Sequence, residues 1–236
     1  MHYEPEDCCK SNVRNFLSWP GSKFFDRDVR GTLWIFAVRA SIFVGILLLG
    51  SCSSVQVARS NKAITYAGLT SQGERRMEIA PSTGLRRNYR RVTVAPVSLL
   101  PKVTTSLSPT AAEGLKAVFH AQLCRQIIKR WGRDAVGNVG GDLLVLPRIT
   151  YVKEVSPGLN IATAVVTGPL SNGQLAVEIE AVDVASGKQV ALLLLADEAD
   201  FRDIRRSFTP DGHARALASR FAIEAVEFIA PIMGPR

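Results

Sequence analysis

Hydrophobic and polar positions alternate most regularly over Gln174-Leu175-Ala176-Val177-Glu178-Ile179-Glu180-Ala181-Val182-Asp183. Leu175, Val177, Ile179 and Ala181 fall on one side, Glu178 and Glu180 on the other. That pattern predicts a strand with one buried and one wet face. Ala185-Ser186-Gly187-Lys188 reads as a tight turn, and 189–196 returns as a continuous apolar strand, so the two should form an antiparallel hairpin. Upstream, 142–152 reads as another strand, broken or bulged at Pro147. Arg91-Val92-Thr93-Val94-Ala95-Pro96-Val97 alternates β-branched with small residues and reads as a strand whose end, at Pro96, lies at an edge or a bulge. The Thr/Ser-rich stretch from Pro101 to Leu107 is expected to be a loop, and 156–172 a loop region whose apolar middle could be a mobile flap or a short extra strand.

Two segments change to the helical period. Leu115, Phe119, Leu123 and Ile127 recur every four residues, with Val118 and Trp131 on nearby spokes. Ser108 is placed to cap this helix, Pro109 to open it, Arg125, Lys129 and Arg130 to favour its C-terminal dipole, and Gly132 to end it. A last helix should open at Pro210-Asp211, bury Leu217, Phe221, Ala225, Phe228 and Ile229, and pair Arg220, Glu224 and Glu227 outside. The order predicts an α+β domain: two-layer, with a mainly antiparallel sheet (β-α-β-β-β-α) and two long helices packed on one face.

A different pattern precedes this domain. Arg39 is followed by an unbroken apolar run, 40–49, that ends in Gly50-Ser51-Cys52. The run is about half the ~20 residues a transmembrane helix needs and fits the apolar region of a signal peptide. With Leu49, Gly50 and Ser51 before Cys52, it resembles a bacterial lipoprotein signal with its lipobox, which implies cleavage before Cys52 and acylation of that cysteine. Extending the run back to Leu33 puts Arg39 in its middle, at a cost of ~2.5–3.5 kcal/mol in a membrane, so an uncleaved single-pass anchor is the alternative. Residues 1–28 carry Glu4, Glu6, Asp7, Asp26 and Asp28 and do not fit a short, positive leader; a start at Val29 would. The expected organisation is 1–28 as a non-native or disordered extension, 29–51 as signal peptide, 52–90 as tether and extended arm, and 91–236 as the α+β domain. Ser53, not Asp, follows the lipid cysteine, and by resemblance to better-known lipoproteins that implies the outer membrane.

Charge and cysteine content narrow the picture. The 236 residues carry a formal charge of +8, with Arg pairs scattered and not interleaved with aromatics, as expected of a solvated basic surface with no nucleic-acid partner. Of the four cysteines, Cys8 and Cys9 precede the cleavage point and Cys52 is used for lipid. That leaves Cys124 no intramolecular partner in the mature chain and predicts a small buried hydrophobe. No cysteine or histidine grouping has metal-site spacing, and no cofactor is implied.

Candidate chemistry is sparse. His120 and His213 lie on the helices without a nucleophile signature. Glu178 and Glu180 share a strand face, the minimum for a carboxylate pair, though a solvated face is the plainer reading. Asp197-Glu198-Ala199-Asp200 lacks the spacing of a calcium loop and reads as a solvated acidic loop. The stretch 137–141 is glycine-rich but too short to cradle a nucleotide. From Tyr66 to about Ile229 the chain resembles the bacterial lipoprotein family called domain of unknown function 3313. The resemblance rests on Tyr66-Ala67-Gly68-Leu69, Arg91-Val92-Thr93-Val94-Ala95-Pro96-Val97, Leu107-Ser108, and Val177 through Lys188. It implies an envelope lipoprotein with a small α/β domain and no assigned activity. The expected function is thus non-enzymatic: a membrane-anchored domain facing the periplasm that binds an envelope protein or the cell wall, or has a structural role. A tethered hydrolase or lipid-handling enzyme is the alternative.

Overall fold

The computed structural model describes residues 57–81, 89–137, 141–154, 173–199 and 212–234. These belong to one unit that includes Val55–Arg236. The predicted leader, the lipobox (Leu49, Gly50, Ser51, Cys52) and the flap at 156–172 lie outside the described residues.

The elements in chain order are β1 (Thr70–Ser71), β2 (Arg76–Ile79), β3 (Val92–Val94), β4 (Ser98–Leu99), α1 (Pro101–Ser106), α2 (Pro109–Trp131), β5 (Leu143–Lys153), β6 (Gln174–Asp183), β7 (Gln189–Glu198) and α3 (Gly212–Ile229). They build a mixed α+β fold on a seven-stranded sheet ordered β1-β2-β7-β6-β5-β3, with β4 also on β5. The β6–β7 hairpin forms as expected, closed by Gly187 at φ 64° and by Asp183, which accepts from the Ser186 backbone N–H at 2.7 Å.

Several expectations change. β3 and β4 run parallel to β5. The cause is the connection: a 23-residue helix, α2, returns the chain to the other end of the sheet, and such a crossover delivers the next strand in the same direction. The expected loop at 101–107 begins with the six-residue α1, which has Pro at its start. The arm at 71–91 supplies strand as well, because β2 pairs antiparallel with β7. Pro147 does not break β5; the register shift falls between Ile149 and Tyr151. Val145 and Ile149 accept from Ala95 and Leu100 on the β3/β4 side, so the donor Pro147 lacks falls in the gap between those short strands.

The main core joins Leu115, Phe119, Leu123 and Ile127 of α2 to Leu217, Phe221 and Ala225 of α3. It also includes Leu175, Val177, Ile179 and Ala181 of β6. α2 spans the predicted residues and is capped as predicted, the Ser108 hydroxyl accepting from Ala111 N–H at 3.2 Å. Ser108→Ala removes that acceptor from one of the helix's first free N–H groups and should cost about 1 kcal/mol, read from urea unfolding.

Candidate functional site

The two sheet faces differ in their cover. β6 and β7 are paired with Glu178 opposite Leu194 and Glu180 opposite Leu192, so these four residues share the face turned away from the main core. All four are fully buried, which corrects the expected solvated face. The cover comes from the chain just after the predicted lipid site. Val57 packs on Ala176 and Ala196, and the segment 57–66 then runs along β6 toward its C-terminal end.

Arg148 sits on β5 directly across from Glu178. Its guanidinium donates to Glu178 Oε1 at 2.9 Å and to Glu180 Oε2 at 2.7 Å. The arm supplies further donors to both carboxylates. Glu178 Oε1 receives the Ser60 hydroxyl at 2.5 Å, and Glu178 Oε2 receives Ser60 N–H at 2.9 Å and the Tyr66 hydroxyl at 2.7 Å. Glu180 Oε1 receives Ile64 N–H at 2.7 Å. Gln189 extends the seam, accepting from Thr65 N–H at 3.1 Å and donating to Thr65 C=O at 3.0 Å. Two buried carboxylates thus face one guanidinium, and neutral donors from the arm hold the rest of the charge. Charge-assisted bonds of this kind are roughly twice as strong as neutral ones. The cluster is a latch between tether and sheet, and a substrate could reach either carboxylate only after the arm lifts.

The other candidates are dispersed. Asp197 belongs to β7 and is buried, ion-paired with Arg75 at 2.7 Å and with Arg220 of α3, which replaces the expected solvated loop. Asp200 lies outside the described residues. Glu224, one turn after Arg220, has its carboxyl pushed above the ordinary range. Burial is the main cause; Arg220 and Arg76 oppose it, while Asp197 and Glu227 add to it. The folded state therefore holds this proton more tightly than the unfolded chain. Stability falls as pH rises from the ordinary value through the raised one. Glu224→Gln should flatten that part of the profile, checked by urea midpoints between about pH 4 and pH 7.

His213 is fully buried at the start of α3, where its Nδ1 accepts from Gly173 N–H at 3.1 Å. A Cβ on Gly173 would lie 2.5 Å from the His213 Cβ, so the close approach requires glycine. His120 is half-buried on α2, its Nε2 3.3 Å from Val94 O, far from both glutamates in the chain and in no hydrogen bond with them. Of the stretch 137–141, positions 138–140 lie outside the described residues, while Gly141 packs on Thr93. Cys124 is buried on α2, as expected; the expectation that it has no disulfide partner falls on Cys8, Cys9 and Cys52, which lie outside the described residues. Among the described residues no group of His, Cys, Asp and Glu could hold a metal ion.

Arg148, Ser60 and Tyr66 were missed at the level of sequence, and a signal for them exists. The run Leu192-Leu193-Leu194-Leu195 is apolar on both sides of a strand, which demands cover on both faces.

Residues 59–225 match the family described as "Protein of unknown function (DUF3313)". No curated protein matches the sequence. Among solved structures, a PelC dodecamer from Paraburkholderia phytofirmans is similar at 9% identity and a TM-score of 0.44, over 68% of this chain and 98% of that one. A protein from Xanthomonas campestris is similar at 11% identity and a TM-score of 0.34, over 65% and 91%. A hypothetical protein from Chlamydia trachomatis is similar at 14% identity and a TM-score of 0.35, over 60% and 98%. Neither assembly nor activity is carried over from them.

Proposed function

The chain belongs to the family of proteins of unknown function DUF3313, and from that premise we propose that it is a membrane-anchored envelope lipoprotein whose α+β domain has a non-enzymatic binding or structural role. The sequence Leu49-Gly50-Ser51-Cys52 supports acylation at Cys52, and Ser53 supports the outer membrane, with the domain facing the periplasm. No helix among the described residues is long and apolar enough to cross a membrane.

The observation that carries this reading is the position of the latch. Ser60, whose amide and hydroxyl both bind Glu178, comes eight residues after Cys52. At ~3.3–3.6 Å per extended residue that is a tether of no more than about 29 Å. A lipid on Cys52 would hold the sheet close to the bilayer, while a leader left in place would hang directly on the latch. The non-enzymatic reading is supported by the use already made of Glu178 and Glu180, the carboxylate pair singled out from sequence.

Cys52→Ser tests the reading in its native envelope. The parent chain should sediment with membranes, take up labelled palmitate and show a mass beginning at Cys52 plus acyl chains. The variant should lose both label and acyl mass. A parent chain that keeps residues before Cys52 and carries no acyl mass would overturn the assignment.

A further inference from the structure

A cavity of about 810 Å³ opens at the end of the domain where β6 finishes. Its floor includes the buried residues Tyr89, Ala135 and Met233, and Trp131, Arg90 and Arg91 border it. It lies away from the point where the tether meets the sheet. Val57 packs at Ala176, whereas Tyr89 donates to Asp183 Oδ2 at 2.8 Å, seven residues further along β6. At ~3.3 Å per residue the separation is about 23 Å.

Each wall is pinned. Tyr89 N–H donates to Ile232 C=O at 3.2 Å, and its own C=O accepts from Gly234 N–H at 2.9 Å. Asp142 Oδ2 accepts from the backbone N–H groups of Arg90 at 3.1 Å and Arg91 at 3.3 Å. Asp142 N–H donates back to Arg91 C=O at 2.9 Å. Its carboxylate is therefore spent on shaping the border. Trp131 is the last residue of α2, packs on the core, and carries the Arg130 guanidinium 5.4 Å from its ring centroid. The exposed side chains of Arg90, Arg91 and Asp134 make no ion pair with one another or with other described residues.

We propose that this cavity binds an anionic, hydroxyl-bearing ring: a sugar acid or a sugar phosphate. Guanidinium groups present a planar donor fork that matches carboxylate and phosphate oxygens. The carboxylate of Asp134 can accept from ring hydroxyls. The part of Trp131 that borders the cavity and the apolar floor offer an apolar surface to the C–H groups of the ring. A preformed, mostly apolar concavity with a few polar groups at its border is the usual form of a small-molecule site. The proposal does not depend on lipid at Cys52, and its readout is independent of membrane association.

Calorimetric titration of the full chain in detergent tests it with four probes: glucuronate, glucose 6-phosphate, glucose and inorganic phosphate. At least one charged sugar should bind with a Kd of about 1 mM or tighter. Glucose and inorganic phosphate should bind at least about tenfold more weakly. The charged sugar that wins identifies the anion as carboxylate or phosphate. Affinity should fall with added salt, since the cations are exposed. The double variant Arg90→Gln, Arg91→Gln should lose about tenfold or more at an unchanged melting temperature, and Trp131→Phe should weaken binding less. Arg125→Gln, on the exposed side of α2, should bind as the parent does. Three results would overturn the proposal: no binding of either charged sugar, inorganic phosphate binding as tightly as they do, or full binding by the double arginine variant.

Discussion

Arg148→Met is expected to destabilise the domain by about 3–5 kcal/mol, the cost of leaving a buried ion pair without its partner. The physical reason is the charge count at the latch. Removing the guanidinium strands two buried carboxylates, Glu178 and Glu180, with hydroxyl and amide donors alone. In a chain of this size each kcal/mol moves the melting temperature by ~2–4 °C, so the loss should exceed about 6 °C. The combined variant Arg148→Met, Glu178→Gln, Glu180→Gln removes the stranded charge and should recover part of the loss. Urea unfolding of the four proteins (parent, Arg148→Met, the double Glu→Gln variant and the triple variant) gives the coupling. A loss below about 1 kcal/mol for Arg148→Met would mean that the carboxylates are hydrated and the arm does not seal them.

Phe119→Ala is expected to cost about 3–5 kcal/mol through lost apolar burial and the cavity left behind. Phe119 is fully buried on α2 in the core shared with α3 and β6, where few neighbours can move to refill the space. Ile223→Ala on α3 is the matched control. Ile223 is 44% exposed and its loss should stay within about 0.5 kcal/mol. Thermal unfolding of the pair separates a core position from a surface one on two helices. Equal effects would mean that α2 does not carry the core contact described.

These two sites also mark what was legible in the sequence. The period Leu115, Phe119, Leu123, Ile127 and the Ser108-Pro109 start specify α2 end to end, because local capping and one apolar stripe agree. The β6–β7 hairpin was legible for the same reason. What the alternation in β6 could not reveal was cover by a distant segment. Glu178 and Ser60 are 118 positions apart, and nothing local links a strand glutamate to a tether serine. Period two places Glu178 and Glu180 on one face but does not say whether that face meets water. The quadruple leucine of β7 carried that information, since Leu192 and Leu194 share the face with the glutamates. Arg148, between Pro147 and Ile149 on β5, was the matching cation. The parallel pairing of β3 was also implicit in the helix that follows it. The short pieces β1, β2, β4 and α1 have no such signal, because elements of two to six residues take their structure from neighbours.

Amide hydrogen exchange of the full chain is the most direct test of the latch between tether and sheet. Ser60 N–H and Ile64 N–H end on buried carboxylates in the structure. They should exchange as slowly as the amides of β6, and Arg148→Met should release both while β6 stays protected. Fast exchange at Ser60 and Ile64 in the parent chain, alongside a protected β6, would show that the arm does not hold the sheet and would contradict the account.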